Sequence, residues 1–449
     1  MKLDMTKGKP LTLIITFALP LFFSNLFQQF YNIADTAIVG HILGDHALSA
    51  VGSVSSIYGL ATSLCFGMTN GFSILISKYF GAGDKGRLKQ AIAGTMLLSI
   101  AVAVFFTLLG IALLHPLLRI LHTPTEIYED ARTYIFIIIA GLVAMVFYNM
   151  LASILRAMGN STTPLLFLIL SSVLNIVLDL FFILVLRLGI AGAAYATVLA
   201  QMVSGVLCLL YSWKKQLLVS LSIRDFKLPI SMVKELLGSG FAMSMMFAVV
   251  NLGTVILQSG INGLGTTTIA AHVAARKISE IYMMPCATLS ATMATFSSQN
   301  YGAGSFDRIW EGMKKSHLLG FIWSTIAILI TYLFASEIIH LLTGSSNQDV
   351  IATGVRYLKI NLPFYYFLIV LGLMRNTLQG IGNRVLPLVA STMELLGKWI
   401  TVQFFIAPFG YTAVCLCEPV TWIVCCFPLV YSFFSKREIR TVIYTQDAN

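Results

Sequence analysis

Apolar residues fall in twelve long runs, at about 11–39, 47–77, 91–114, 131–155, 164–186, 190–212, 230–260, 267–298, 316–341, 353–379, 386–406 and 411–434. A helix needs roughly 20 apolar residues to cross a bilayer, and each run is long enough. Glycines and charges separate them: Gly40 to Asp45, Gly81-Ala82-Gly83-Asp84, His115 to Asp130, Gly159-Asn160, Gly189, Lys214 to Lys234, Gly260 to Gly265, Gly302-Ala303-Gly304, Gly344-Ser345-Ser346, Gly382-Asn383 and Gly410. The pattern predicts an all-α integral membrane protein of twelve transmembrane helices. The short connections leave no room for a sizeable soluble domain.

The pattern also repeats. Gly81-Ala82-Gly83 with Arg87 returns as Gly302-Ala303-Gly304 with Arg308, and Gly44 with Ala50 returns at the same offset as Gly265 with Ala271. Gly159-Asn160 with Pro164 returns as Gly382-Asn383 with Pro387, and Phe181-Phe182-Ile183 as Phe404-Phe405-Ile406, both at one, slightly longer offset. Six helices is an even number, so both halves enter the membrane the same way round. They are expected to be parallel repeats about an axis along the membrane normal. This gives a six-helix lobe over 1–213, a charged linker over 214–234 and a second six-helix lobe over 235–449, around a central cleft. A duplicated pair of lobes that can rock about a cleft suits a transporter.

Composition narrows the class. The chain is 57% hydrophobic and 11% charged, with a mean hydropathy of +0.84. Soluble proteins carry about 25% charged residues, so a soluble enzyme, a disordered chain and a disulfide-knotted secreted domain are excluded. The net charge of +10 follows the membrane rather than a nucleic acid. Even-numbered loops and the two termini hold 20 Lys and Arg, including Lys2, Lys436, Arg437 and Arg440, while odd-numbered loops hold 5. Cytoplasmic loops carry the excess of basic residues, which places both termini in the cytoplasm and the protein in the plasma (inner) membrane. The seven cysteines lie in apolar runs, and Cys415 and Cys417 do not have a zinc spacing. No metalloprotease, nucleophile-elbow or nucleotide-binding signature is present, so no cofactor, ATP-driven step or catalysis is expected.

Acids inside the runs carry the remaining chemistry. A charge near the bilayer centre costs several kcal/mol unless it faces a cavity or a partner. Asp35 lies in the first run and Asp179 in the fifth, neither with a basic residue within a turn of its own helix. Asn175 shares a helix face with Asp179, and Thr197 in the sixth run can add a neutral oxygen. A carboxylate so placed can take up and release a proton, or hold a monovalent cation. The other readings are a helix cap near Gly40 for Asp35, and hydrogen bonds between packed helices for the rest. The second half differs, with Lys398 opposite Asn175, Val402 opposite Asp179 and Glu394 opposite Ser171. Glu394 with Lys398, and Arg276 with Glu280, are spaced to pair. Alternatively Glu280 or Glu394 receives a cationic substrate. Gln28, Tyr31, Met246 and Met283 are candidates for an adaptable cleft wall, although packing explains such residues too. Pro20 and Pro285 fall inside runs, where proline kinks helices.

The chain resembles the multidrug and toxic compound extrusion (MATE) family. The residues that carry the resemblance are Asp35 with Gly40 and Gly44, Ala47 to Gly52, Tyr79 to Gly83, Arg156 to Asn160 with Pro164, Asn175 with Asp179, Gly192 to Thr197 and Tyr301 to Gly304. The pattern is closer to the DinF-like branch, since Gly240 to Leu257 holds no acid. The resemblance implies export of small-molecule drugs coupled to inward H⁺ or Na⁺. It also implies a cation site formed by Asp35, Asn175, Asp179 and Thr197, in a carrier expected to work as a monomer. A lipid or lipid-linked oligosaccharide flippase of the same superfamily is the alternative, and it would need a strongly cationic cleft. A membrane enzyme lacks a catalytic constellation here, and a channel leaves the carboxylates unexplained.

Overall fold

The computed structural model describes residues 3–121, 123–215, 221–343 and 347–435. The basic residues Lys2, Lys436, Arg437 and Arg440, positions 216–220 of the linker and Gly344 to Ser346 lie outside them. The described residues are almost wholly helical. In order they form α1 (Pro10–Ile38), α2 (Gly44–Gly81), α3 (Lys85–Ile120), α4 (Tyr128–Ala140), α5 (Leu142–Ala157), α6 (Thr162–Leu180) and α7 (Ile190–Lys214). Then follow α8 (Ile230–Asn262), α9 (Thr266–Gly302), α10 (Phe306–Thr343), α11 (Gln348–Asn361), α12 (Tyr365–Gly380), α13 (Val385–Ile400), α14 (Ile406–Phe409) and α15 (Tyr411–Ser435). Taking α4 with α5, α11 with α12, and α13 with α14 as one span each recovers twelve spans.

The repeat is written into the backbone. The starts of α3 and α10, and of α7 and α15, stand at the offset that relates Gly81 to Gly302. The starts of α5 and α12, and of α6 and α13, stand at the offset that relates Gly159 to Gly382. Glycines at positive φ recur with them: Gly44 and Gly265, Gly83 and Gly304, Gly159 and Gly382, Gly189 and Gly410. Each pair sits at a helix junction, where a left-handed residue ends one helix at no steric cost. A π turn at Val39–Leu43 followed by Gly44 separates α1 from α2. The fourth run, which the hydrophobic pattern draws as one helix, bends by 42° between Ala140 and Leu142. Gly141 at the bend lies so close to the Val198 side chain on α7 that a Cβ would overlap it.

The helices invert the soluble pattern. On α3, Leu97, Ile100, Val104 and Leu108 form an exposed stripe, while Ala91, Thr95, Ser99 and Ala103 are buried. Lipid is as apolar as leucine, so helices associate through small and polar residues instead. α9 goes further. It carries Arg276, Lys277 and Glu280 and is too polar to pass as a span by composition. It is tolerated because α10, α11 and α12 pack around it.

The chain divides into two compact units, Leu19–Ser244 (with Leu3 and Asp4) and Met5–Ala18 together with the chain from Met245 on. The boundary falls inside α8, beyond the expected start of the second lobe at 235. The cause is packing. Met232 and Leu236 belong to the core of the first unit, with Phe72, Leu75 and Leu155, and Lys78 Nζ pairs with Glu235 Oε1 at 3.3 Å. Gly71 on α2 abuts the backbone of Ser239 and Gly240 on α8. Met5–Ala18 joins the second unit because Met5 N–H donates to Gln299 Oε1 at 3.0 Å, and Arg308 donates to the Met5 and Gly8 carbonyls. Since only backbone lies opposite Gly71, Gly71→Val is expected to cost about 1–3 kcal/mol. A clearly lower melting temperature in detergent is the readout, and unchanged melting would show that α2 and α8 can part freely.

Candidate functional site

The first unit gathers all four expected cation ligands. Asp35 sits near the end of α1, Asn175 and Asp179 one turn apart on α6, and Thr197 on α7. Asn175 and Asp179 are fully buried and Thr197 nearly so. The Asp35 and Asp179 side chains lie close enough to feel each other's charge. In the amide orientation that satisfies both its groups, Asn175 donates to Asp179 Oδ2 at 3.1 Å and accepts from the Thr197 backbone N–H at 3.3 Å. Tyr31 lies one turn before Asp35, and its hydroxyl donates to Thr197 Oγ1 at 3.3 Å. Asp35 Oδ1 and Asp179 Oδ1 remain buried without a hydrogen-bond partner. Among the described residues no Lys, Arg or His forms an ion pair with either acid. The site therefore holds two carboxyls, a hydroxyl and an amide, with negative charge uncompensated by the described residues.

Asp35 is not a helix cap. α1 continues past it to Ile38 and passes into the π turn. Three more groups border the site that the sequence reading did not include. Tyr58 and Tyr134 lie close enough to Asp35 to feel its charge. Gln201, one turn beyond Thr197, lines a small cavity with Tyr58, Met145 and Thr197, and its Oε1 is buried and unpartnered. Gln201 was legible from its spacing to Thr197, whereas the tyrosines come from neighbouring helices and carried no local signal.

The second unit answers differently. Glu394 is buried, with Oε2 bound by Arg375 at 3.2 Å and Oε1 by Lys398 at 3.4 Å. Both oxygens are engaged, so Glu394 is not placed to receive a cationic substrate. Glu280 is partly exposed and pairs with Lys277 at 3.4 Å and Arg276 at 3.8 Å. Arg276 also binds Glu418 Oε1 at 2.7 Å. Glu418 is the residue the sequence reading missed. It is 3% exposed and accepts from the Tyr357 hydroxyl at 3.1 Å. The repeat could have found it, since Glu418 stands to Thr197 in the sequence as Gly302 stands to Gly81. Arg276, Lys277, Arg375 and Lys398 each have an acid within 4.0 Å, including Arg375, which sequence spacing left unpaired. The wall candidates divide between the units. Gln28 bonds Asn32 at 3.5 Å in the first, Met246 Sδ meets Gln379 Nε2 at 3.3 Å in the second, and Met283 is part-buried on α9.

Twelve spans in two repeat-related sets of six, with an enclosed acid pair in one set, define a multi-pass membrane transporter. The family model MatE matches residues 20–181 and 242–400. The chain belongs to that family, the multidrug and toxic compound extrusion transporters. It is 28% identical over 407 residues to the probable multidrug resistance protein YpnP of Bacillus subtilis, covering 91% of this chain and 90% of that one. It is 24% identical over 365 residues to the DNA damage-inducible protein F of Escherichia coli, covering 77% and 76%. A solved outward-facing multidrug resistance MATE transporter of the MOP superfamily shares the fold, with a TM-score of 0.88 at 23% identity over 98% of both chains.

Proposed function

We propose that the protein exports amphiphilic, often cationic organic compounds across the plasma membrane in exchange for inward H⁺ or Na⁺. Asp35 and Asp179 form the coupling pair, Asn175 and Thr197 complete it, and the carrier works as a monomer with both termini in the cytoplasm. The observation that carries this reading is the closeness of Asp35 and Asp179, with a buried unpartnered oxygen on each acid and, among the described residues, no ion pair to either. With the site open outward, an arriving cation neutralises the pair and removes repulsion and dehydration cost. α1 then rearranges and the drug leaves. The cation-loaded carrier turns inward. Coupling requires only that drug and cation each favour a different state. The neutralised cations of the second unit argue against a flippase, which would need them free.

The test is dye uptake into everted vesicles, loaded with acid or with Na⁺ in separate runs. One of the two gradients is expected to drive uptake and its collapse to stop it. Uptake indifferent to both overturns ion coupling.

A further inference from the structure

The second unit rebuilds the scaffold of the Asp35–Asp179 site with other side chains. We propose that it carries its cation covalently: the Lys398 ammonium fills the place that an exchangeable cation takes in the first unit. The inference rests on the coupling reading above for what the first site does, and on the repeat and the geometry for the second.

In the first unit α1, α6 and α7 supply Asp35, Asn175, Asp179 and Thr197. The helices at the same places in the repeat are α8, α13 and α15. The offset that relates Pro164 to Pro387 carries Asn175 to Lys398 and Asp179 to Val402. The offset that relates Gly81 to Gly302 carries Thr197 to Glu418 and Asp35 to Ile256. The coupling acids are thus replaced by apolar residues and the neutral ligands by a lysine and a glutamate. The charge arrangement is turned inside out. Where the first unit presents carboxyls awaiting a cation, the second presents a cation already seated between carboxylates.

The geometry fits a built-in ion. Lys398 Nζ lies 3.4 Å from Glu394 Oε1 and 3.7 Å from Glu418 Oε1, and its side chain is 2% exposed. A buried charge of this kind persists only when paired. α8 makes room for the stem, since a Cβ on Gly253 would stand 3.0 Å from Lys398 Cδ. Around it the groups alternate in sign along one chain of contacts, Lys277, Glu280, Arg276, Glu418, Lys398, Glu394 and Arg375. Lys398 is the interior link, shared by both buried acids. Removing it takes one ion-pair partner from each of Glu394 and Glu418, which keep Arg375 and Arg276, and opens between them a space shaped for an alkylammonium. The carrier accordingly has one exchangeable cation site rather than two.

Lys398→Ala tests this. The melting temperature of the purified full-length variant is compared in n-propylammonium chloride and in choline chloride at equal concentration. Propylammonium is expected to raise it by about a few degrees, as a ligand selective for the folded state does, with no such difference in the wild type. Equal melting in the two salts overturns the inference. If Lys398→Ala is lost during expression in cells, cell-free synthesis into liposomes with either salt present replaces the purification. A greater folded yield with propylammonium then supports the tethered cation, and equal yields overturn it. Neither readout involves transport. Loss of ion coupling in vesicles alongside propylammonium rescue retires the coupling reading alone, and intact coupling without rescue retires this inference alone.

Discussion

Asp35→Asn is expected to abolish gradient-driven dye uptake while leaving the amount of protein in the membrane unchanged. Asparagine keeps the size and hydrogen-bonding reach of the side chain but cannot be neutralised by an arriving cation. The free energy that links ion and drug is then lost. Couplings of this kind are typically worth about 1–3 kcal/mol, roughly 5–150-fold in relative affinity, so uptake should fall by a factor in that range, to the level of de-energised vesicles. The protein itself should survive, because Asp35 is only part-buried and forms no ion pair among the described residues. Wild-type uptake by this variant would remove Asp35 from the mechanism.

The second large effect is on stability. Glu418→Gln takes the anionic partner from Arg276 at 2.7 Å and from Lys398 at 3.7 Å, and leaves both inside the second unit. Deleting one member of a buried ion pair costs about 3–5 kcal/mol; here Arg276 keeps only the part-exposed Glu280, and Lys398 must share Glu394 with Arg375. The variant is expected to melt far below the wild type in detergent, or to reach the membrane in much smaller amount. Glu280→Gln is the internal control. Its carboxylate is 41% exposed, and pairs open to solvent contribute little. Equal melting of both variants would show that the network around Glu418 does not hold the second unit together.

Much of this was legible in the residues. Run lengths, junction glycines and the near-constant offset between the halves located the twelve spans and the duplication. Lipid forces long apolar helices, and a glycine at positive φ must return wherever its junction returns. The acids of the first site were legible for a related reason, because Asp35 and Asp179 stand out against apolar neighbours. What escaped depends on distance in sequence. Glu418 also stands among apolar neighbours, but its partners Arg276 and Lys398 come from other helices, which spacing along its own run does not show. The Arg375–Glu394 pair joins α12 to α13 over 19 residues, beyond any helix spacing. The boundary within α8 depends on Gly71 and Phe72 of α2 packing against Ser239 and Gly240, a match of shapes that hydrophobic periodicity does not encode. The bend at Gly141 likewise comes from Val198 on another helix.

The central claim, that Asp35 and Asp179 together form the docking point of the coupling ion, is most directly tested by infrared difference spectroscopy of the purified transporter. Its carboxyl carbonyl band is followed as pH is raised and as Na⁺ is added. The account predicts a protonated-carboxyl band that disappears in at least one of these titrations and is missing from both Asp35→Asn and Asp179→Asn. A wild-type spectrum in which the two acids stay ionised throughout, unmoved by either titration, would contradict it.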